Sequence, residues 1–168
     1  MIGVDFAAHG TRSTVAWTST TAIKARAIEG GVPFAVEIVA HERADVAPVI
    51  ALGEAGCLIA WTVAGAPRAV LRSASGMAAI DLEAPGLRAE HLSAVATPSG
   101  FVVAWVVRGA LRQRVRSVRY ADGVWQSAVD VASGPAEEPI LGLDLAASGA
   151  WVALVWERGG GIWGLLTE

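Results

Sequence analysis

The chain has 168 residues, a length that suits one domain with a sizeable hydrophobic core. Hydrophobic residues make up 54 % of the sequence and charged residues 17 %, a balance that excludes an intrinsically disordered chain. The net charge of −3 disfavours a general nucleic-acid binder, and no apolar run approaches the roughly 20 residues of a membrane-spanning helix.

The N-terminus and the cysteine count exclude further classes of protein. The first residues lack the basic segment followed by an apolar segment that marks a secretory signal peptide, so we expect a soluble chain of undetermined compartment. Cys57 is the single cysteine, which excludes an internal disulfide framework. The sequence shows no Cys/His spacing typical of zinc, no Ser-His-Asp order and no phosphate-binding glycine loop before a helix. We therefore predict no metal and no cofactor, and we favour a protein that is not an enzyme.

An apolar strand that contains a tryptophan recurs four times along the chain. Its clearest copy is the run FVVAWVV at residues 101–107. The tryptophans, spaced by 44, 44 and 51 residues, are Trp17, Trp61, Trp105 and Trp156. An acidic residue within a further apolar strand follows each of the first three, as Glu37, Asp81 and Asp130. A repeat of about 40–50 residues is typical of β-propeller blades.

These signatures divide a single domain, 1–168, into four units at about 1–48, 49–91, 92–139 and 140–168. Residues 1–29 match residues 140–168 without a gap, at a constant offset of 139. We predict four strands, a to d, in each of the first three units and only strands a to c in the fourth. In chain order the predicted strands span 2–6, 14–17, 23–28 and 35–40; 49–52, 58–63, 68–73 and 78–82; 92–96, 101–107, 111–120 and 127–131; and 140–145, 151–156 and 161–166.

The b strands do not alternate between apolar and polar residues, as residues 101–107 show. A sandwich strand with one solvated face should alternate, so these strands must be covered on both sides. A propeller meets that demand because each blade is stacked between two neighbours. The pattern therefore predicts an all-β fold, a β-propeller of four-stranded antiparallel blades.

The residues around the third unit also resemble a known repeat type. FVVAW at 101–105, YADGVWQSAV at 120–129 and Pro139 are similar to bacterial β-propeller repeats with a VAW strand, in which a G-x-W-x-x-A/P-V turn leads into strand d. The resemblance covers essentially the whole chain and implies the propeller fold. Asp boxes and the WD40 and kelch signatures are missing, and a blade type does not define a function.

Three full units and a partial fourth leave three ways to complete a ring. One chain closes a four-bladed ring as a monomer, two chains form a homodimer that completes a larger ring of about eight blades, or the chain is a piece of a longer propeller. An uncovered blade would expose its apolar face, which is the reason that a ring must be completed at all.

The polar loops supply the candidate binding residues. In propellers the d-to-a connections share one face with the b-to-c loops, so we expect their charged residues to surround a central opening. The predicted ligand-binding residues of this loop face are Arg43, Asp45, Arg88, Glu90, Arg108, Glu137 and Arg158. Trp125 lies outside the b strands and is predicted as a stacking platform for a ligand. The alternative is an ordinary solvated loop face.

Other conspicuous residues favour structural roles. We expect the four b-strand tryptophans to pack between blades, and the arginines at 112, 114 and 116 to form a polar stripe on an outer strand beside Asp130. Asp5 and Asp144 are equivalent on strand a, where counting places Ala51 and Val95 in the middle units, and we expect a hydrogen bond to a neighbouring blade rather than a cation site.

The sequence favours a non-enzymatic binding or interaction module that recognises carbohydrate or protein through its loop face, with no nucleic acid and no membrane as partner. A first alternative is a fragment or subunit of a glycosidase-like propeller enzyme, in which carboxylates such as Asp45, Glu90 and Glu137 converge. A second alternative is a purely structural or engineered repeat scaffold without a ligand.

Overall fold

The computed structural model describes residues 3–74, 76–83 and 87–168. The part of the chain so described is all-β: it contains seventeen strands and no helix. The first sheet contains β1 (Val4–His9), β2 (Arg12–Thr18), β3 (Ile23–Glu29), β4 (Val32–Pro33) and β5 (Glu37–Ala40). The second contains β6 (Val49–Gly53), β7 (Gly56–Val63), β8 (Ala66–Ser73) and β9 (Gly76–Asp81). The predicted start of the first strand, at Ile2, lies outside the described residues.

The third and fourth sheets continue the same pattern. The third contains β10 (Arg88–Thr97), β11 (Gly100–Arg108), β12 (Arg112–Ala121), β13 (Val124–Trp125) and β14 (Val129–Pro135). The fourth contains only β15 (Ile140–Ser148), β16 (Trp151–Arg158) and β17 (Gly161–Thr167). Every pair is antiparallel, and each sheet runs in chain order from its a strand to its outer strand. In the first and third sheets the d strand is split into two short pieces that both pair with strand c.

The four sheets are four blades of a β-propeller, as the strand pattern predicts; we number them 1 to 4. The a strands lie innermost, since β1 packs on β6, β6 on β10 and β10 on β15. The a-to-b turns of all four blades line one small cavity of about 230 Å³, with His9, Gly53, Pro98 and Gly149 among its walls. The blades therefore radiate from a common axis.

Each blade has two faces of different composition. The tryptophan face carries the b-strand tryptophan and is turned toward the preceding blade, whereas the opposite face is turned toward the following one. Three apolar clusters fill the gaps between consecutive blades. Trp61, Trp105 and Trp156 are 2 %, 0 % and 8 % exposed in these clusters, which confirms the predicted packing role for three of the four tryptophans.

Glycine sets how tightly strands b and c approach. A Cβ on Gly56 would collide with the carbonyl oxygen of Arg72, and a Cβ on Gly100 would collide with that of Tyr120. Both glycines begin a b strand, where the partner backbone of strand c comes close. This explains the glycine that precedes the tryptophan strand in these two units.

Two sequence-based assignments were wrong in register. Residues 88–91 were predicted as a loop but belong to β10, because Arg88, Ala89 and Glu90 pair with β11 before a bulge interrupts the ladder. His91 lies in this bulge with a φ of 50°. The positions equivalent to Asp5 are Val49 and Ser93, not Ala51 and Val95, since each pairs with the residue before the tryptophan in its blade.

Two of these equivalent positions, Asp5 and Ser93, link neighbouring blades through hydrogen bonds. Asp5 Oδ2 accepts a hydrogen bond from the backbone N–H of Ile50 at 2.9 Å. Ser93 Oγ accepts one from the N–H of Leu145 at 3.2 Å and donates to Asp144 Oδ1 at 3.0 Å.

The described residues include no helix long and apolar enough to cross a membrane.

Candidate functional site

A cavity of about 520 Å³ opens on the loop face between blades 2 and 3. Its wall combines the connection into blade 2, the b-to-c turn of blade 2 and the first residues of β10. The lining residues are Asp45, Val46, Thr62, Ala64, Gly65, Leu87, Arg88, Ala89 and Glu90. Three predicted binding residues, Asp45, Arg88 and Glu90, thus meet at one place, and Arg108 joins them through Glu90.

The turn between β7 and β8 gives this cavity a fixed wall. Ala64 and Gly65 have φ values of 50° and 78°, which is the geometry of a two-residue type I′ hairpin turn. Asp45 clamps the turn, because its Oδ2 accepts from the N–H of Gly65 at 2.8 Å and its own N–H donates to the carbonyl of Thr62 at 2.9 Å. The Gly65 carbonyl in turn accepts from the N–H of Ala89 at 2.7 Å, so blade 3 is tied to the same turn.

The charged groups of the cavity are arranged around Glu90. Arg88 and Arg108 lie opposite each other in the β10–β11 ladder, and both reach this one carboxylate. Arg88 Nε lies 3.3 Å from Glu90 Oε1, and Arg108 Nη2 lies 3.1 Å from Glu90 Oε2. Glu90 is 22 % exposed, whereas the Arg88 side chain is 76 % exposed. Most of the Arg88 guanidinium therefore faces solvent beside an already oriented carboxylate.

Other predicted residues do not line this cavity. Arg43 and Glu137 are exposed on their connections. Arg158 belongs to the contact between blades 3 and 4, where its Nη1 donates to the carbonyl of Ser133 at 3.1 Å and its Nε lies 3.6 Å from Glu138. The Arg158 guanidinium also lies 5.0 Å from the centroid of the Trp163 ring.

Trp125 lies at the other end of blade 3. It follows the c-to-d turn in β13, pairs with Tyr120 in the ladder and contacts the Tyr120 ring at a centroid distance of 5.2 Å and an angle of 55°. The ring is partly buried against the core between blades 2 and 3. Trp125 therefore packs against the core beside the c-to-d turn. This turn is at the opposite end of blade 3 from the loop-face cavity, which Trp125 does not line.

Two arginines of the strand c stripe, Arg114 and Arg116, are engaged by carboxylates, as the structural interpretation predicts, whereas Arg112 is exposed at the start of β12. Arg114 Nη1 lies 3.2 Å from Asp130, and Arg116 Nε lies 2.8 Å from the same residue. Arg116 also pairs with Glu83 of blade 2, and both side chains are largely buried. This network joins blades 2 and 3 instead of presenting free guanidiniums to a phosphate.

Sequence reasoning missed a second cleft of about 540 Å³ between blades 1 and 2, at the a-to-b and c-to-d turns. Two ion-pairing side chains cross it: Arg72 Nη2 lies 2.8 Å from Glu37 Oε2. Phe34 and Met77 line it and are 54 % and 53 % exposed. Its charges come from two units and are far apart in sequence, so no local motif marks them.

Cys57 lies at the base of this second cleft. Burial in apolar surroundings raises the pKa of its thiol, and a hydrogen bond with Thr14 and the charge of Arg72 oppose that effect. The thiol is therefore protonated at neutral pH and is a poor nucleophile. Among the residues described, no group of three or more His, Cys, Asp or Glu side chains is arranged to hold a metal ion.

Comparison with known proteins does not place the chain in a family. The sequence matches no protein-family model, and no curated protein shows significant similarity to it.

Proposed function

We propose that this protein is a non-enzymatic binding module that takes a small ligand rich in hydroxyl and carboxylate groups, such as an acidic saccharide, in the loop-face cavity between blades 2 and 3. The observation that carries the proposal is the Arg88 side chain, which is 76 % exposed yet oriented by Glu90 beside the clamped β7–β8 turn. A preorganised site of this kind loses little side-chain entropy when a ligand binds.

The chemistry of the cavity wall supports this ligand class. Guanidinium forks pair with carboxylates through two hydrogen bonds, and carboxylate oxygens accept from sugar hydroxyls. Arg88 supplies the first kind of group, and Asp45 and Glu90 supply the second. The lining residues include no aromatic ring on which a neutral sugar would stack, so the wall favours a ligand held by charge and hydrogen bonds.

The glycosidase alternative receives less support from the same geometry. Glycoside hydrolysis needs two carboxyl groups free to act on the scissile bond. Glu90 is held by two arginines and Asp45 by a backbone amide, while Glu137 is absent from the cavity wall. The two carboxylates that do meet are therefore held in place by structural partners: their remaining lone pairs can accept from ligand hydroxyls, but neither carboxylate is free to serve as the acid or the nucleophile.

A saccharide array followed by calorimetry tests the proposal. We expect binding of one or more acidic saccharides without hydrolysis, and the Arg88→Ala variant should weaken that binding at least about tenfold, because a hydrogen bond to a charged group contributes about 1.5–3 kcal/mol. Arg112→Ala is the matched control, since Arg112 is exposed at the start of β12 in the same blade but does not line the cavity. Equal affinity of the Arg88→Ala protein and the wild type, or release of a cleaved sugar, would overturn the proposal.

A further inference from the structure

Two faces of the propeller are left without a covering blade. On the tryptophan face of blade 1, Val4 and Phe6 are 63 % and 59 % exposed. On the opposite face of blade 4, Ile162 and Leu166 are 77 % and 62 % exposed. The three apolar clusters lie between blades 1 and 2, 2 and 3, and 3 and 4, and none of the described residues forms such a cluster between blades 4 and 1. Contiguous exposed apolar faces mark interaction surfaces.

The internal repeat shows that a missing neighbour causes this exposure. Blade 1 and blade 4 match at an offset of 139, so each exposed residue has a counterpart in the same strand position. Phe6 is 59 % exposed, but its counterpart Leu145 is 8 % exposed beneath blade 3. Ile162 is 77 % exposed, but its counterpart Ile23 is fully buried beneath blade 2. The strands are alike, and they differ in whether a blade covers them.

The two uncovered faces also have complementary shapes. At the existing contacts, a tryptophan packs on a cross-strand pair of small residues in the preceding blade: Trp61 on Ala16 and Ala25, and Trp105 on Ala60 and Ala69. Blade 4 offers the pair Val155 and Gly164 at that place, and Val155 is 43 % exposed. Blade 1 offers Trp17, which is only partly buried although its three counterparts are buried.

The two uncovered faces also carry counterparts of the donor and the acceptor of a hydrogen bond that joins blades 1 and 2. Asp5 reaches from blade 1 to the backbone N–H of Ile50 in blade 2. Asp144 is its counterpart in blade 4 and is exposed on the uncovered face. Phe6 is the counterpart of Ile50, because both precede the tryptophan of their blade by 11 residues. The N–H of Phe6 donates to Asp5 Oδ1 at 2.8 Å within blade 1, and it can be shared with Asp144 of another copy in the way that the N–H of Leu145 is shared between Asp144 Oδ1 and Ser93 Oγ of blade 3.

We propose that a second copy of this chain covers both faces. The tryptophan face of blade 1 in each protomer packs on the opposite face of blade 4 in the other, so the two chains close a ring of eight blades around a two-fold axis. One chain carries both halves of the contact, and two such contacts satisfy every uncovered face of the pair. The new contact continues the interface that already joins consecutive blades within each chain.

Light scattering of the purified chain tests this assembly. The expected mass is twice the 17.3 kDa of one chain and independent of concentration in the micromolar range. A mass of one chain would overturn the proposal, and would indicate either that the monomer covers its own faces or that further blades of a longer polypeptide do so. A mass that grows with concentration would also overturn it, since an open filament is what a head-to-tail contact forms when it does not close.

Two surface variants separate this arrangement from other dimers. Phe6→Asp and Ile162→Asp each place a charge on one uncovered face, and each should raise the dissociation constant at least about a hundredfold, because a buried unpaired carboxylate is costly. Leu111→Asp is the control: Leu111 is 84 % exposed on the b-to-c turn of blade 3, outside both faces, and the variant should remain dimeric. The substituted side chains are exposed, so all three variants should keep the wild-type circular dichroism.

Mixing the two variants gives the sharpest result. A chain with Phe6→Asp keeps its blade 4 face, and a chain with Ile162→Asp keeps its blade 1 face, so a mixture retains one intact contact and should form heterodimers. A pair joined through two copies of the same face would behave differently, since one of the two variants would then dimerise like the wild type. That result, or the absence of heterodimers in the mixture, would contradict the head-to-tail arrangement.

Discussion

Trp105 and Trp17 occupy the same position of a b strand, but removing their side chains should lower the free energy of unfolding by very different amounts. Trp105 is fully buried and packs in the cluster that contains Ala60 and Ala69. Its indole N–H has no hydrogen-bond partner among the described residues, so its contribution comes from packing alone. Replacing a buried tryptophan by alanine costs about 3–5 kcal/mol, because the transfer free energy is lost and a cavity remains. Trp17 lies on the uncovered face of blade 1 and is partly exposed, so Trp17→Ala should cost about 1 kcal/mol.

The comparison is made by urea unfolding in the Ile162→Asp background, in which Trp17 is not covered by a second chain. Both variants remove the same side chain from the same position of a b strand, so the denatured state is affected equally. We expect the free energy of unfolding to fall at least about 2 kcal/mol further for Trp105→Ala than for Trp17→Ala. Equal losses would refute the claim that these tryptophans stabilise the fold by packing on a neighbouring blade.

Three further measurements test other parts of the structure. Gly100→Ala should lower the free energy of unfolding by about 2 kcal/mol or more, because the added Cβ would collide with the Tyr120 carbonyl, whereas Gly142→Ala should be close to neutral, since its Cβ meets nothing within 4 Å. A thiol reagent at pH 8 should modify Cys57 slowly in the folded protein and rapidly in urea, because burial raises the pKa of the thiol; equal rates would contradict its burial. The same raised pKa predicts that stability falls as the pH rises past the ordinary thiol value of 9.0, since the unfolded chain then releases a proton that the folded chain retains; a Cys57→Ala variant should lack this loss between the two pKa values.

The sequence predicts the architecture well because the main requirement, burial of both faces of the b strands, is visible within the sequence of each single strand. Residues 101–107 are apolar on both faces, and the structure buries all of them. The tryptophan spacing then gives the number of blades, and the missing fourth strand of the last unit is confirmed in the three-stranded fourth sheet. The hydrophobic pattern of these strands agrees with their burial in the structure, so the pattern alone is sufficient to predict the architecture.

The candidate site is less predictable, since it depends on register and on contacts between units. The bulge near His91 lengthens β10 and turns a predicted loop into the strand that carries Arg88 and Glu90. Arg158 and Trp125 were grouped with the ligand-binding residues by polarity or by type, but their contacts are with Glu138 and with Tyr120. No signal within a single unit shows which charged side chains of different blades will meet.

Oxidative footprinting of the tryptophans, resolved by mass spectrometry, tests most directly the central claim that each tryptophan face is covered by another blade. We predict that Trp61, Trp105 and Trp156 are protected in the wild type and in the Ile162→Asp variant, because their covering blades belong to the same chain. Trp17 should be protected in the wild type and oxidised in the variant. Oxidation of Trp105 as rapid as that of Trp17 in the variant would contradict the claim.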